Sequence, residues 1–321
     1  MAEVHVHPEV DRALRERRPV VALETAVATA GLPATALGRS PACDAPGWDP
    51  DQACGLEVLR LQQRLVRAEG AIPATIGVID GVFRIGMDEM QLARLLEAGV
   101  TRKASARDLA AVMAEGGTAG TTVSGTLIGC RQPEVPIRVL ATGGIGGLHR
   151  SWAERLDVSA DLTALATSPV CVVASGVKSV LDVTATMEAL EALGVPVVAF
   201  GTELMPLFYC RAREEIPAPR RVDEVADIAE ICRAHWYELQ CSTGVLAANP
   251  VSDRHALDPA EVDRIVAEAD RTAPPGTSPA QRTPLLLAAV HARTDGRALD
   301  ANVSLLADNA RLAARVAAQL A

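Results

Sequence analysis

The chain has 321 residues, of which 49% are hydrophobic and only 2% aromatic, so it can bury a large core of Ala, Val, Leu and Ile. Its formal net charge is −9, from 31 basic and 40 acidic side chains. That balance argues against nucleic acid or an anionic membrane surface as the main partner.

Targeting signals and cysteine usage point to the cytoplasm. No apolar stretch approaches the roughly 20 residues that span a bilayer, and the amino terminus lacks a basic and then apolar signal pattern. The seven cysteines are scattered, without a Cys-x-x-Cys pair. They suit buried or free thiols in a reducing compartment better than a disulfide framework or a zinc site.

The amino-terminal part of the chain contains a predicted strand, a loop and a helix. Residues 19–23 form a short apolar strand, and Gly31-Leu-Pro33 forms a turn. Residues 34–51 are rich in Pro, Gly and small residues, which predicts a loop. Residues 57–68 have the apolar spacing of a helix.

The rest of the chain alternates between strands and helices. Residues 75–79 and 82–85 flank Asp80-Gly81 and predict a hairpin. Further strands and helices are predicted at residues 135–141, 170–174, 187–193, 195–200, 222–239 and 259–273. Because no linker, repeat or composition break divides the chain, the pattern favours the α/β class, as a single layered α/β/α domain with a central sheet over residues 1–321.

Lys178 follows the apolar run at residues 169–177, which predicts a buried strand that ends in a small-residue turn. Proteins of the α/β class bind ligands at the carboxyl ends of their strands, where an imine-forming amine would lie. A solvated surface lysine at a helix start explains the same local sequence.

Glu24 directly follows the first predicted strand. A partly desolvated carboxyl there would have a raised pKa, which suits a general acid. A solvated glutamate at a strand end is the alternative.

Two glycine-rich turns are candidate ligand-binding segments. Lys103 precedes the Gly- and Thr-rich residues 116–123, whose amides suit a phosphate, although the spacing is not that of a phosphate loop. The second turn, at residues 141–150, has the wrong glycine spacing for a dinucleotide fingerprint. Its glycines either bring the backbone close to a small ligand or form a tight turn.

Asp157 and Asp161 lie four residues apart with Ser159 between them. Such carboxylates can hold a hard divalent cation through one direct ligand and several waters. A helix cap, in which Asp157 or Ser159 accepts a hydrogen bond from the first-turn amides, explains the same residues.

Together these segments resemble the pseudouridine-5'-phosphate glycosidase family, also called the indigoidine synthase A-like family, from Val20 to the end of the chain. The matching stretches are Val21-Ala-Leu-Glu24, Gly31-Leu-Pro33, Gly70-Ala-Ile-Pro-Ala-Thr-Ile-Gly-Val-Ile-Asp-Gly81, Lys103-x-Ser-x-Arg-Asp108, Thr121-Thr-Val123, Ala141-Thr-Gly-Gly-Ile-Gly-Gly-Leu-His-Arg150, Asp157-Val-Ser-Ala-Asp161, Gly176-Val-Lys-Ser179, Gly201-Thr-Glu203, Ala248-Asn-Pro250 and Ala301-Asn-Val303.

The resemblance implies a metal-dependent enzyme that cleaves or forms the carbon–carbon bond between C1′ of ribose 5-phosphate and a carbon of a base. It also implies Mn²⁺, or another divalent cation such as Mg²⁺, and a homotrimer. The implied catalytic and metal residues are the nucleophile Lys178, the proton donor Glu24 and the metal ligand Asp157. The implied substrate-binding residues are Lys103, Val123, Ser159, Ala160 and Asp161, with Thr142, His149 and Asn302 at the base end.

The chain departs from the family pattern at three places, and the first two, close in sequence to Glu24 and His149, suggest that the acceptor is not uracil. The segment at residues 34–55 is longer and lacks a Pro-x-Asn, Ser151-Trp152 replaces a glycine, and Gln281-Arg282 replaces a Gly-Lys pair. One alternative is therefore a C-glycosynthase of secondary metabolism that joins ribose 5-phosphate to a heterocycle or polyketide. Another, a non-catalytic phosphosugar-binding protein, is disfavoured because the implied catalytic, phosphate and metal residues are all present.

Overall fold

The fold is organised around a large central sheet. The computed structural model describes residues 3–97, 102–150, 152–274, 277 and 279–321. Its strands are β1 (Glu3–Val6), β2 (Val20–Leu23), β3 (Ile72–Ile79), β4 (Val82–Ile85), β5 (Lys103–Ala104), β6 (Ala119–Thr121), β7 (Val139–Ala141), β8 (Leu148–His149), β9 (Cys171–Ala174), β10 (Leu181–Asp182), β11 (Val197–Phe200), β12 (Arg221–Val222) and β13 (Val245–Ala248).

Eleven of these strands form one sheet in the order β1-β4-β3-β2-β7-β9-β13-β11-β12. In addition, β6 pairs with β3 and β5 pairs with β6, while β8 and β10 form a separate pair. The central strands β2, β7, β9, β13 and β11 are parallel. Every residue of β2, β9 and β13 is buried. Continuous Val, Leu and Ala runs, rather than alternating ones, are expected for parallel strands covered on both faces.

Helices cover the sheet. They are α1 (Pro8–Arg15), α2 (Ala26–Ala30), α3 (Cys54–Ala68), α4 (Glu89–Leu95), α5 (Leu109–Ala114), α6 (Val123–Cys130), α7 (Trp152–Arg155), α8 (Ala160–Leu165), α9 (Val183–Ala192), α10 (Val225–Arg233), a π-helical turn (Ala234–Glu238), α11 (Pro259–Arg271), α12 (Pro279–Ala292) and α13 (Arg297–Leu320). The long helix α13 packs against β2, β7 and β9 and against α3 and α10, whereas α6 packs with α8. The predicted α/β class with a central sheet is confirmed.

Several predicted elements are confirmed with altered bounds. The hairpin is present, and Asp80 and Gly81 both have positive φ, as a two-residue hairpin turn requires. The strand predicted at residues 135–141 is limited to β7. The helix predicted from residue 187 begins earlier, at Val183, because the Asp182 carboxylate accepts a hydrogen bond from the Ala185 amide and caps α9.

The longer segment at residues 34–55 is mostly loop, as predicted. Ala36 and Ala53 form a single antiparallel bridge across it. Two ion pairs hold it on α13, from Arg39 to Asp300 at 2.9 Å and from Asp44 to Arg311 at 2.6 Å. This segment therefore continues from the end of α2 and packs along α13 between Asp300 and Arg311.

All seven cysteines are free thiols, and five of them are buried. No helix within the described ranges is both long and apolar enough to cross a membrane.

Candidate active site

A cavity of about 550 Å³ opens at the carboxyl ends of the parallel strands. Glu24 follows β2, Gly143 follows β7 and Lys178 follows β9, and all three line the cavity. Because parallel strands end at the same edge of a sheet, residues far apart in sequence meet there. Helices α2, α12 and α13 supply much of the remaining wall, and Lys103, Val123 and Phe208 also line the cavity.

The chain contains only two lysines, Lys103 and Lys178, among 31 basic residues, and both line this cavity. Elsewhere the chain uses arginine. Arginine can carry surface charge and ion pairs but stays protonated, whereas lysine can lose its proton and act as a nucleophile. The scarcity of lysine was visible in the sequence and would have singled out both residues.

Two glycine turns hold the backbone of Lys178 in place. Gly176 has φ +76°, and a Cβ there would lie 2.0 Å from the Pro206 carbonyl oxygen, so only glycine fits. The Ile145 amide donates to the Gly176 carbonyl at 3.0 Å, and the Lys178 amide donates to the Ile145 carbonyl at 3.1 Å. The turns after β7 and β9 therefore stabilise each other.

Glu24 is buried, and its carboxyl is hydrogen-bonded at both oxygens. The Thr142 hydroxyl donates to Oε1 at 3.1 Å and the Val27 amide donates to Oε2 at 3.3 Å. Burial raises the pKa of Glu24, and the Lys178 charge and the two hydrogen bonds oppose that rise. A carboxyl of this kind suits proton transfer.

Lys103 faces the amino-terminal end of α6. Burial lowers the pKa of Lys103, and the charge of Lys178 lowers it further. Val123, the first residue of α6, lines the cavity beside it, and Thr122 makes no side-chain cap to the helix. A lysine near the amino-terminal end of a helix suits an anionic group such as a phosphate, and of the amides at this end the Ser124 amide already donates to Asp161.

Asp161 is buried and its carboxylate is held by backbone amides. Oδ1 accepts from the Ser124 amide and Oδ2 accepts from the Gly146 amide, both at 2.9 Å. A Cβ at Gly146 would lie 2.9 Å from Oδ2, so this glycine permits the approach. Asp161 thus joins α6, which carries Val123, to the turn after β7.

Ser159 forms the helix cap that was the alternative to a metal or substrate role. Its Oγ accepts from the Asp161 amide at 3.2 Å at the start of α8. Ala160 is exposed. Ser159, Ala160 and Asp161 lie outside the cavity lining, and their contact with substrate stays a prediction.

His149 and Asp157 lie behind the cavity wall formed by Thr283. His149 Nε2 and the Thr283 hydroxyl are 2.7 Å apart, and His149 Nδ1 lies 3.8 Å from Asp157 Oδ2. Burial lowers the pKa of His149, and the Asp157 carboxylate opposes this. The predicted role of His149 at the base end would therefore be exerted through Thr283.

The residues near Asp157 fit a divalent cation that keeps most of its water. Within the described ranges, no three His, Cys, Asp or Glu side chains come together as a metal cage. Asp157 is a single buried carboxylate beside one imidazole. A hard cation such as Mg²⁺, bound through one carboxylate and several waters, suits this donor set, and a closed all-protein site does not.

Sequence reasoning missed residues that support or line the cavity from α12, α13 and the turn after β11. Fully buried Asn309 donates to the Thr142 carbonyl at 2.7 Å and to Ser175 Oγ at 3.1 Å, which links the ends of β7 and β9. Phe208 has φ +58° and lines the cavity, as does His291. The predicted Asn302 also lines it.

One of the three departures from the family pattern is Ser151-Trp152, and Ser151 lies outside the described residues. Arg282 is buried and forms an ion pair with Asp270. The longer segment reaches the cavity rim, because a Cβ at Gly296 would lie 3.2 Å from Arg39 Nη2.

The chain is similar to known proteins over nearly its whole length. A family model described as indigoidine synthase A like protein matches residues 51–319. A pseudouridine-5'-phosphate glycosidase of Paracoccus denitrificans is 41% identical, over 99% of this chain and 98% of its own length. A protein of the same name from Caldanaerobacter subterraneus is 39% identical, over 99% of this chain and 96% of its own length.

Two crystal structures share the fold. The prealnumycin C-glycosynthase AlnA, in complex with ribulose 5-phosphate, superposes with a TM-score of 0.83 at 33% identity, covering 100% of this chain and 97% of that one. An indigoidine synthase A-like protein from Thermotoga maritima has a TM-score of 0.83 at 31% identity, covering 99% of this chain and 97% of that one.

Proposed function

The chain belongs to the indigoidine synthase A-like protein family, and we propose that it reversibly cleaves and forms the C1′–carbon bond of a ribose 5-phosphate C-glycoside. In the cleavage direction, pseudouridine 5′-phosphate and water give uracil and ribose 5-phosphate. The observation that carries the proposal is that both lysines of the chain share one cavity with a buried carboxyl of raised pKa.

Each cavity residue then has a place in the reaction. Lys103 and the amide end of α6 bind the phosphate, which fixes the sugar relative to Lys178. Glu24 donates a proton to the ring oxygen, because its raised pKa keeps a proton available. Thr142 orients Glu24, and Asn302 and Thr283 face the base.

A lysine imine accounts for cleavage of a bond whose leaving group is carbon. After the sugar ring opens, the neutral Lys178 amine adds to C1′ and forms a C–N bond. The C1′–carbon bond then breaks, its electron pair goes to the base carbon, and that carbon takes a proton. The resulting imine is hydrolysed by water, which releases the aldehyde of ribose 5-phosphate and restores the amine.

Two carboxylates acting on an oxocarbenium ion would face a poorer leaving group than in ordinary glycosides. The imine route avoids this because the lysine nitrogen accepts positive charge as the carbon–carbon bond breaks. A divalent cation held by Asp157 would supply positive charge near the phosphosugar. The homotrimer implied by the family resemblance belongs to the same proposal, and sedimentation would test it.

A C-glycosynthase that uses a non-uracil acceptor is the second candidate. The cavity wall formed by α2 and α12 is largely apolar, with Val27, Ala30 and Leu287 facing the open space. This wall offers few groups that match the polar edges of uracil.

The experiment that tests the proposal is product analysis by mass spectrometry. The protein is incubated with ribose 5-phosphate, uracil and Mn²⁺, and in the reverse direction with pseudouridine 5′-phosphate. Interconversion by wild type but not by Lys178→Ala supports the glycosidase. Absence of product from uracil, with ribose 5-phosphate still bound, supports the second candidate.

A further inference from the structure

The cavity continues beyond the catalytic end into a mostly apolar part, which we name the distal chamber and define by Ala30, Leu32, Leu287, His291 and Leu299. We propose that the distal chamber binds an apolar extension of the acceptor, beyond the ring that bonds to C1′, and that His291 forms its polar contact. This inference rests on the proposed function.

Position along the helices separates the distal chamber from the catalytic end. On α12, Thr283 contacts His149, while Leu287 and His291 follow at intervals of four residues and therefore share a face. At about 1.5 Å per residue, His291 lies about 12 Å along the helix from Thr283. A single ring bonded to C1′ at Lys178 does not extend over that distance.

On α2 and α13, too, the residues change from catalytic to apolar with distance from the catalytic end. Val27 of α2 donates its amide to Glu24, and Ala30 lies three residues further along the helix, followed by Leu32. On α13, Leu299 precedes Asn302 by nearly one turn. The side chains beyond the catalytic end are thus small or aliphatic, and such surfaces favour apolar ligand groups.

His291 is the polar exception among the five residues of the distal chamber. It is half-buried, and its Nε2 has no hydrogen-bond partner in the described part of the chain. Burial lowers the pKa of His291, so the ring is neutral at pH 7 and offers one donor and one acceptor. Leaving a buried polar atom unpaired is costly, so a ligand group that pairs with it is favoured.

Asn302 gives a parallel observation nearer the catalytic end. Its Oδ1 is also buried without a partner within the described ranges, and the residue lines the same cavity. The α12–α13 wall therefore presents two unpaired polar atoms, one near each end. An acceptor that spans both would carry one hydrogen-bonding group on its first ring and another on its extension.

The test uses 1-naphthol, naphthalene and uracil as probes, each titrated calorimetrically in the presence of ribose 5-phosphate. We expect wild type to bind 1-naphthol more tightly than uracil. It should also prefer 1-naphthol to naphthalene by about fivefold, the effect of one neutral hydrogen bond. In His291→Leu that preference for the hydroxyl should vanish.

A filling variant tests the chamber itself. Ala30→Phe should weaken 1-naphthol binding at least tenfold while changing ribose 5-phosphate affinity by less than about twofold. Ala68→Phe, at an exposed position near the end of α3 and outside the cavity, is the matched control.

Either of two results would overturn the inference. One is that Ala30→Phe lowers the affinities for uracil and 1-naphthol equally, and the other is that His291→Leu still prefers 1-naphthol to naphthalene as wild type does. If wild type neither binds ribose 5-phosphate nor processes pseudouridine 5′-phosphate, the proposed function fails. The proposal for the distal chamber is then tested separately, by measuring 1-naphthol binding without the sugar. Loss of that binding in Ala30→Phe supports the proposal, and unchanged binding contradicts it.

Discussion

The Thr142 hydroxyl and the Glu24 carboxyl are joined by a 3.1 Å hydrogen bond across the carboxyl ends of the neighbouring strands β2 and β7. The bond favours the charged carboxylate, whereas burial favours the protonated form, and burial is the larger of the two effects. Asn309 fixes the Thr142 backbone from α13. The fold therefore sets the protonation of Glu24 through contacts from three separate elements.

Thr142→Val should move the alkaline limb of the activity profile to higher pH. The variant removes a hydrogen bond to the charged form of Glu24, so its pKa rises further, and the proton donor stays protonated to higher pH. We expect kcat/KM at the optimum to fall by no more than about tenfold. Profiles of kcat/KM against pH for pseudouridine 5′-phosphate cleavage test this.

Thr167→Val is the matched control, because the Thr167 hydroxyl donates to the Thr163 carbonyl on α8 and has no contact with Glu24. A limb that stays in place in Thr142→Val, or moves to lower pH, would contradict the assignment of Glu24 as proton donor.

Glu24→Gln should lower kcat by about 10² to 10⁴ while leaving ribose 5-phosphate binding intact. It should also stabilise the protein at neutral and alkaline pH. Because the pKa of Glu24 is raised in the folded state, its stabilising contribution is complete below the unfolded pKa and is lost as pH rises through the folded pKa. Glutamine stays neutral throughout, so the difference in Tm from wild type should grow with pH.

Glu57→Gln is the contrasting control. Glu57 is equally buried but pairs with Arg60 at 2.7 Å and accepts from the Asp49 amide at 3.0 Å. Loss of its charge should destabilise the fold by about 1–3 kcal/mol. Thermal unfolding from pH 5 to pH 9 measures both variants, and a destabilised Glu24→Gln at pH 8 would show that this carboxyl is structural.

The sequence predicted the central strands β2, β7, β9 and β11, but not β13, and it predicted the two strand-end residues for the same physical reason. Strands buried on both faces are continuous apolar runs. Glu24 directly follows β2, and Lys178 follows β9 after a short turn. Apart from Asn302, the walls formed by α12 and α13 were not predicted. Their cavity-facing residues depend on how the helix pair is docked, which no local pattern encodes.

Asp161 illustrates a second limit. Its spacing from Asp157 suits a metal or substrate site, yet its carboxylate binds the amides of Ser124 and Gly146. Those amides belong to segments distant in sequence, so a local motif could not distinguish a ligand-binding carboxylate from one that joins two parts of the fold.

Chelation should abolish activity, and Mn²⁺ should restore it. We expect Asp157→Asn to raise the Mn²⁺ concentration needed for half-maximal activity by at least tenfold, because the substitution removes the negative charge of the proposed direct ligand. Asp253→Asn, at an exposed position, is the control. Full activity after exhaustive chelation would rule out the metal role of Asp157.

Borohydride reduction in the presence of ribose 5-phosphate should attach the sugar covalently to Lys178. The assignment is unusually clear because the chain has only two lysines, so an adduct on a side-chain amine lies on Lys103 or Lys178. We expect peptide mass spectrometry to find it on Lys178, with none in Lys178→Ala, whose Tm should stay near that of wild type.

Lys103→Gln should still be trapped, but at ribose 5-phosphate concentrations at least tenfold higher, because it loses a phosphate contact and not the nucleophile. An adduct on Lys103 in wild type would reverse the two roles, and trapping that persists in Lys178→Ala would exclude the imine route through Lys178.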